Sequence, residues 1–274
     1  RLTLPLNQLK RIYVSPGPIF DPLGPGRADP RCCKCVFAAG IRPGDLVQNT
    51  FLYHFTPFGL YLADALVEMG CTVVPAGVGN TELQAQVLQA LKVNGYIGTP
   101  SFLKAILDKV VELGFDPRKD LDLKVAVVGA EMLAESLRSE LESRVGLKVR
   151  QAYGTADVGL IGHECPEKNG YHLFDLEMIV EVVDPSTGRQ VPAGEIGELV
   201  VTSFNPVYPL IRFGTGDLTA IDDSPCPCGR TSPRLKGLYG RVDQVTKVRA
   251  MFIHPSLVDQ VAARNPWSPA AGSW

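Results

Sequence analysis

From residue 36 to residue 150, short apolar runs alternate with stretches whose apolar residues recur at helical spacing. Residues 45–51 read as a strand, 59–69 as a helix and 71–75 as a second strand. Residues 81–94 place Leu83, Val87, Leu88 and Leu91 on one helical face, and 95–98 return to a strand. Residues 102–113 then read as helix, 124–128 as strand and 133–145 as helix. Strands alternating with crossover helices predict a mainly parallel sheet covered on both faces, an α/β fold. After Gly170 the pattern changes to alternating or β-branched runs with turn signals between them, at 178–183, 197–202 and 210–213. That half predicts a small antiparallel, barrel-like β subdomain. Residues 16–35 are rich in proline and glycine and read as irregular, and 261–274 as a frayed tail.

Composition narrows the class. With 274 residues and 45% hydrophobic content, the chain can bury one large core or two modest ones. Its 27 basic and 29 acidic residues leave a net charge of −2, which offers no polybasic field for nucleic acid or an anionic membrane. No apolar run approaches the roughly 20 residues of a membrane span. The first residues also lack a signal peptide's apolar stretch. A cytoplasmic location is therefore expected. Seven cysteines, an odd number, argue for reduced thiols or metal ligands over a disulfide framework. The crowded trio Cys32, Cys33 and Cys35 reads as plain thiols, because close neighbours in a loop cannot easily close a tetrahedral site.

Three segments carry candidate chemistry. Residues 149–157 run a short apolar strand into a glycine turn ending in Asp157. At the carboxyl edge of a parallel sheet such a turn binds ligands, and its carboxylate can hold Mg²⁺ against a phosphate. A helix-capping aspartate on a surface turn explains the same residues. Residues 208–218 run a strand into a two-glycine turn ending in Asp217, which can accept ribose hydroxyls or simply bond its own backbone. Residues 237–249 are mixed in charge and, alone, fit any exposed hairpin.

Taken together, Tyr153-Gly154-Thr155-Ala156-Asp157, Gly214-Thr215-Gly216-Asp217-Leu218 and Gly240-Arg241-Val242-Asp243 resemble successive motifs of the AMP-forming ligase superfamily, in its phenylacetate-CoA ligase-like branch. Gly129-Ala130-Glu131 resembles its adenine-contacting turn, and the likeness spans residues 36–258. The resemblance implies an activity, the ATP-dependent activation of a carboxylic acid, aromatic and phenylacetate-like, through an acyl-adenylate with transfer to CoA. It implies that Gly129, Ala130, Glu131, Tyr153 and Gly154 flank the AMP moiety, and that Asp157 and Thr155 serve the phosphate and Mg²⁺. Asp217 and Arg241 would hold the ribose, and Asp243 would be the hinge of a C-terminal lid. Tyr53 and Phe55 are candidates for the acyl wall, with a core role equally open. The expected division is an acyl- and adenylate-binding subdomain at 1–165, a β subdomain at 166–243, and a hinge with a lid remnant at 244–274. The partners implied are the acid, ATP and CoA; a homodimer stays open.

Cys226-Pro227-Cys228 forms a tight knuckle, and Cys165 with His172 offers a second pair from an earlier loop. Together they make a Cys₃His set for a structural zinc, with His163 as rival for the nitrogen ligand and four reduced residues as the alternative. Members of the resembled branch carry cysteines at such positions. Two departures from the family stand out. Residues 14–20, where a phosphate loop with a lysine is expected, carry prolines and no lysine, and proline removes the N–H that would cradle a phosphate. Ala156 and Asp157 also stand where the family has a hydroxyl and a glutamate. Because the chain stops at Trp274, short of the expected lid, a truncated, non-catalytic nucleotide- or acyl-binding remnant is the competing expectation.

Overall fold

The computed structural model describes residues 2–15, 19–244, 246–248 and 251–253. The expected tail, Lys247's side chain, most of the lid remnant and the centre of the 14–20 loop lie outside the described residues. A hairpin of β1 (Arg11–Ser15) and β2 (Ile19–Leu23) comes first. There follow α1 (Pro30–Ala39), β3 (Leu46–Asn49), α2 (Phe58–Glu68), β4 (Thr72–Pro75), α3 (Thr81–Ala90) and β5 (Gly95–Gly98). Next come α4 (Pro100–Glu112), the single turn α5 (Pro117–Asp120), β6 (Val125–Val128), α6 (Glu135–Val145) and β7 (Lys148–Thr155). The remainder is strand apart from one 3₁₀ turn at Val242–Gln244: β8 (Gly159–His163), β9 (Tyr171–Leu173), β10 (Met178–Val183), β11 (Gly197–Ser203) and β12 (Phe213–Thr219). The short β13 (Ile221–Asp222), β14 (Arg234–Leu235), β15 (Gly240–Arg241), β16 (Thr246–Val248) and β17 (Met251–Ile253) complete it.

One nine-stranded sheet dominates, in the order β13-β14-β9-β8-β7-β6-β5-β3-β4. The five strands from β7 to β4 run parallel, as the alternation of strands and helices demands. Their central members β5 and β6 are buried at every position. Along β6, Val125 and Val127 face the cluster built on Cys32, Cys35, Val36 and Leu66 of α1 and α2. Ala126 and Val128 face Leu103, Ile106, Leu107 and Leu141 of α4 and α6. The sheet then continues with antiparallel strands from β8 onward, so strands from both sides of residue 165 pair within it. A separate antiparallel sheet, β10-β11-β12-β15, forms the small β unit.

Two local expectations are corrected. Residues 30–39 are not irregular loop but helix, capped by the Asp29 side chain, which accepts from the Arg31 N–H, with Pro30 in the first turn. Cys32, Cys35, Val36 and Ala39 fall at helical spacing and are buried, which places two of the three crowded cysteines in the core. The strand expected at 210–213 begins only at Phe213, because Arg212 adopts a left-handed φ of 47° and breaks the run. Gly214, Gly216 and Asp217 therefore lie within β12, not in a turn after a strand. No helix among the described residues is long and apolar enough to cross a membrane.

Candidate functional site

The carboxyl ends of β6 and β7 open onto a cavity of about 260 Å³. This is where a parallel sheet binds ligands, because strand ends there leave backbone groups and loop side chains converging on a crevice. Small residues form part of its lining, Gly129, Ala130, Ala152, Gly154 and Ala156, and Phe51, Phe58, Leu62 and Leu160 contribute larger apolar surface. Among the described residues, no charged side chain lines it. A Cβ on Gly154 would lie 2.4 Å from the Gly159 carbonyl oxygen, so only glycine lets β7 and β8 approach this closely.

The aromatic residues lining the cavity are Phe51 and Phe58, not Tyr53 and Phe55. Phe55 is 74% exposed on a loop where its φ is 61°. The Tyr53 ring faces Gly77, with its hydroxyl buried and unpaired. Sequence reading named Tyr53 and Phe55, because which aromatic of a stretch turns toward a cavity depends on tertiary packing.

Tyr153 stands between two residues of the cavity wall. Its hydroxyl donates to Asp217 Oδ2 at 2.7 Å, and Arg241 Nη1 donates to Asp217 Oδ1 at 3.0 Å. Burial, together with the adjacent Asp217 carboxylate, pushes the Tyr153 hydroxyl well above its ordinary pKa and keeps it a donor. Gly216, at a φ of 76°, makes the pairing feasible: a Cβ there would sit 2.6 Å from Arg241 Nη2. Arg241 also reaches Asp243, whose carboxylate is 3.4 Å from Nε. Tyr153 and Arg241, far apart in the chain, thus meet on the Asp217 carboxylate, which keeps lone pairs free for hydroxyl donors.

The Gly129-Ala130-Glu131 turn is held in place by its own acid. Glu131 Oε1 accepts from the Ser101 N–H in the first turn of α4 at 2.7 Å, and its carbonyl accepts from Gln151 Nε2 at 2.9 Å. Ala130 takes a left-handed φ of 65°. The Thr155 hydroxyl accepts from the Val158 N–H at 3.2 Å and so shapes the turn that presents Asp157. Asp157 faces a smaller cavity, which Asp21 of β2 also lines. Asp21, which sequence reasoning passed over, is held above the usual carboxylate range by burial and by the charge of Asp157, against an opposing hydrogen bond from Ser15.

A buried pair fixes β7 from behind. Arg138 of α6 donates to both oxygens of Glu164, at 2.9 and 2.7 Å, and Glu164 also accepts from the Gln151 N–H at 2.7 Å.

The second cluster lies at the antiparallel end of the large sheet. The ligand atoms of Cys165, His172, Cys226 and Cys228 all lie within 4.8 Å of one another. Cys165 and Cys226 sulfurs are 3.8 Å apart, far beyond a disulfide, and Cys228 Sγ is 3.3 Å from His172 Nε2. Zinc–sulfur bonds of about 2.3 Å in a tetrahedron set sulfurs about 3.8 Å apart, so the spacing fits. His172 Nδ1 lies 3.1 Å from the Ser232 carbonyl, which orients Nε2 toward the thiols. His163 is turned away, its Nδ1 3.0 Å from the Glu164 carbonyl, and burial lowers its pKa to about 4. Burial pushes the Cys228 thiol up, but hydrogen bonds from Arg230 and the neighbouring thiols outweigh this and bring it to about 7.

The model of the AMP-binding enzyme family matches residues 38–206. The phenylacetate-coenzyme A ligase of Thermus thermophilus is 31% identical over 96% of this chain and 61% of its own length. That of Aromatoleum evansii is 33% identical over 85% of this chain and 53% of its own. Among solved structures, an open conformation of 2-hydroxyisobutyryl-CoA ligase, in complex with its acyl-AMP and CoA, superposes with a TM-score of 0.87 at 26% identity. The match covers 96% of this chain and 60% of that one. The chain thus spans little more than half the length of these relatives.

Proposed function

This chain belongs to the AMP-binding enzyme family, and from that premise we propose that it activates a carboxylic acid with ATP and passes the acyl group to CoA. The observation that carries the reading is the Asp217 carboxylate, gripped by Tyr153 and Arg241 beside an apolar cavity at the sheet's carboxyl edge. In the first step a substrate carboxylate oxygen attacks the α-phosphorus of ATP, the bond to the β-phosphate oxygen breaks, and pyrophosphate leaves. In the second the CoA thiolate attacks the acyl carbon, the bond to the AMP oxygen breaks, and AMP leaves. Asp217 accepts the ribose hydroxyls, and the turn of Gly129, Ala130 and Glu131 lies along the adenine with Tyr153 opposite. Asp157 would hold Mg²⁺, which supplies positive charge where the phosphate gains negative charge.

The lining of the cavity favours an uncharged, largely apolar acyl group. Phe51 and Phe58, with ring centroids 6.2 Å apart, suit a flat aromatic acid of the phenylacetate kind. Cys165, His172, Cys226 and Cys228 would hold a structural zinc, binding the 165 loop to the 226–228 knuckle. Asp243 is the pivot in this reading, because it follows β15 and its exposed carboxylate lies beside Arg241 Nε. The seven unpaired cysteines accord with a reducing, cytoplasmic setting.

Nucleotide binding without turnover is the second reading, favoured by residues 14–20, which hold no lysine. Pyrophosphate release over a panel of aryl and fatty acids, run beside calorimetry with ATP and AMP, separates the two. Acid-dependent pyrophosphate release supports the ligase reading. AMP binding with no release supports the second, and no adenine-nucleotide binding refutes both.

A further inference from the structure

Tyr171 stands between the two clusters of the site. It opens β9, a strand of three residues, and its neighbour His172 is the histidine of the Cys165, His172, Cys226 and Cys228 corner. Successive side chains of a strand point to opposite faces, so Tyr171 turns toward the nucleotide site as His172 turns toward the thiols. The Tyr171 hydroxyl donates to Gln151 Oε1 at 2.9 Å, and Gln151 Nε2 donates to the Glu131 carbonyl at 2.9 Å. Burial pushes the Tyr171 hydroxyl up to about 12, so it stays protonated and a donor. The backbone of Gln151 is fixed separately: its N–H donates to Glu164 at 2.7 Å, and the Glu164 N–H donates to its carbonyl at 2.9 Å. What is left to orient is the side-chain amide, which its two bonds aim at the turn of Gly129, Ala130 and Glu131. That turn needs holding, because Ala130 keeps a left-handed φ of 65° that disfavours any residue with a Cβ.

We propose that Tyr171 is a positioning residue for the nucleotide, which carries the metal state of the Cys₃His corner through Gln151 to the Glu131 turn, so that zinc and AMP each tighten the other's binding. The proposal rests on the zinc and nucleotide readings given above and adds the link between them, through a tyrosine that lies in neither set of residues. A β9 this short has few bonds of its own to set where the Tyr171 hydroxyl lies. It pairs with β8 at His172 and Leu173 and with β14 at Tyr171 and His172. A metal on His172 would tie the strand to Cys165, Cys226 and Cys228 as well, and would thereby fix the hydroxyl against Gln151.

Equilibrium competition for zinc with a chromogenic chelator, with and without saturating AMP, measures the link on the full chain. Zinc should bind the wild type about fivefold more tightly when AMP is present, and by reciprocity AMP should bind the zinc-loaded protein more tightly than the metal-free protein by the same factor. Tyr171→Phe keeps the ring, His172 and the thiols, so it should keep its zinc while the factor falls below about twofold. Zinc that only stabilised the fold as a whole would stay linked to AMP in that variant, so an unchanged factor in Tyr171→Phe overturns the proposal. A wild type that binds both ligands with no effect of one on the other also overturns it. Gln151→Met breaks the link at its other bond and should lose the factor too; a factor retained there is a third refutation. A wild type that carries no zinc defeats the metal reading, and one that binds no AMP defeats the nucleotide reading, and the proposal falls with either. Each of those failures is read from a titration with one ligand alone, so it is distinguishable from a failure of the link.

Discussion

Replacing Tyr153 with phenylalanine removes one oxygen and leaves the ring in place, against Tyr171 at a centroid distance of 6.0 Å. The lost bond is charge-assisted, 2.7 Å long, and lies between a buried ring and a carboxylate whose side chain is 18% exposed. Hydrogen bonds to charged groups contribute about 1.5–3 kcal/mol. Because Asp217 keeps Arg241 and some access to water, the lower end applies, about 1.5 kcal/mol, or a fall in melting temperature of about 3–6 °C for a chain of this size. In the function proposed above, the same oxygen would hold Asp217 ready to accept from a ribose. Freeing one side of the carboxylate should therefore weaken AMP binding by about tenfold, about 1.4 kcal/mol. Calorimetry with AMP and with 2′,3′-dideoxy-AMP isolates that effect: Tyr153→Phe should lose affinity for AMP and keep that for the analogue. Equal losses for both ligands, or wild-type affinity for AMP, would refute the ribose assignment of Asp217.

Three further outcomes follow from the geometry. Protein purified without added zinc should carry close to one zinc per chain, and Cys228→Ser or a strong chelator should remove it and lower the melting temperature; metal-free wild type sinks the cluster as a zinc site. Arg138→Leu and Glu164→Leu should each cost about 3–5 kcal/mol in urea unfolding, since the partner charge stays buried, with side chains 4% and 6% exposed. The double variant should cost less than the sum, and simple additivity would contradict the pairing. Asp64 ties the first hairpin to α2 by accepting from Lys10 and Arg11, and these bonds hold its carboxyl below the usual value despite a raising effect of burial. Its contribution should be intact above the ordinary aspartate pKa and fade as pH falls through the lowered folded value. An Asp64→Asn variant whose stability deficit persists unchanged at the acid end would contradict this linkage.

The parallel half of the fold is legible in the chain because buried central strands and capped crossover helices leave a periodic trace. The strand at 95–98 coincides with its expected bounds. Helix α1 was hidden because its proline and crowded cysteines read as loop, although cysteine counted as an apolar residue would have shown Cys32, Cys35, Val36 and Ala39 on one face. The antiparallel extension from β8 onward was obscured for another reason. Its strands β9, β13 and β14 are only two or three residues long, too short for alternation to register. Within the site, Tyr153, Asp217 and Arg241 were visible through their glycine-flanked motifs, and the structure brings them together. Phe51, Phe58 and Asp21 were not, because which side chain turns toward a cavity depends on tertiary packing. Asp21 leaves one trace only, an acid in an apolar strand.

Gly216 has no side chain with which to bond and carries no charge, yet the guanidinium of Arg241 occupies the space its missing Cβ would take. A mutational survey confined to ionisable and hydrogen-bonding positions would pass over it. Even alanine at residue 216 should push the arginine off Asp217 and uncouple β15 from the carboxylate while leaving every charged residue in the chain intact. The tolerance of this part of the protein to genetic change is thus set as much by an empty volume as by the groups that surround it.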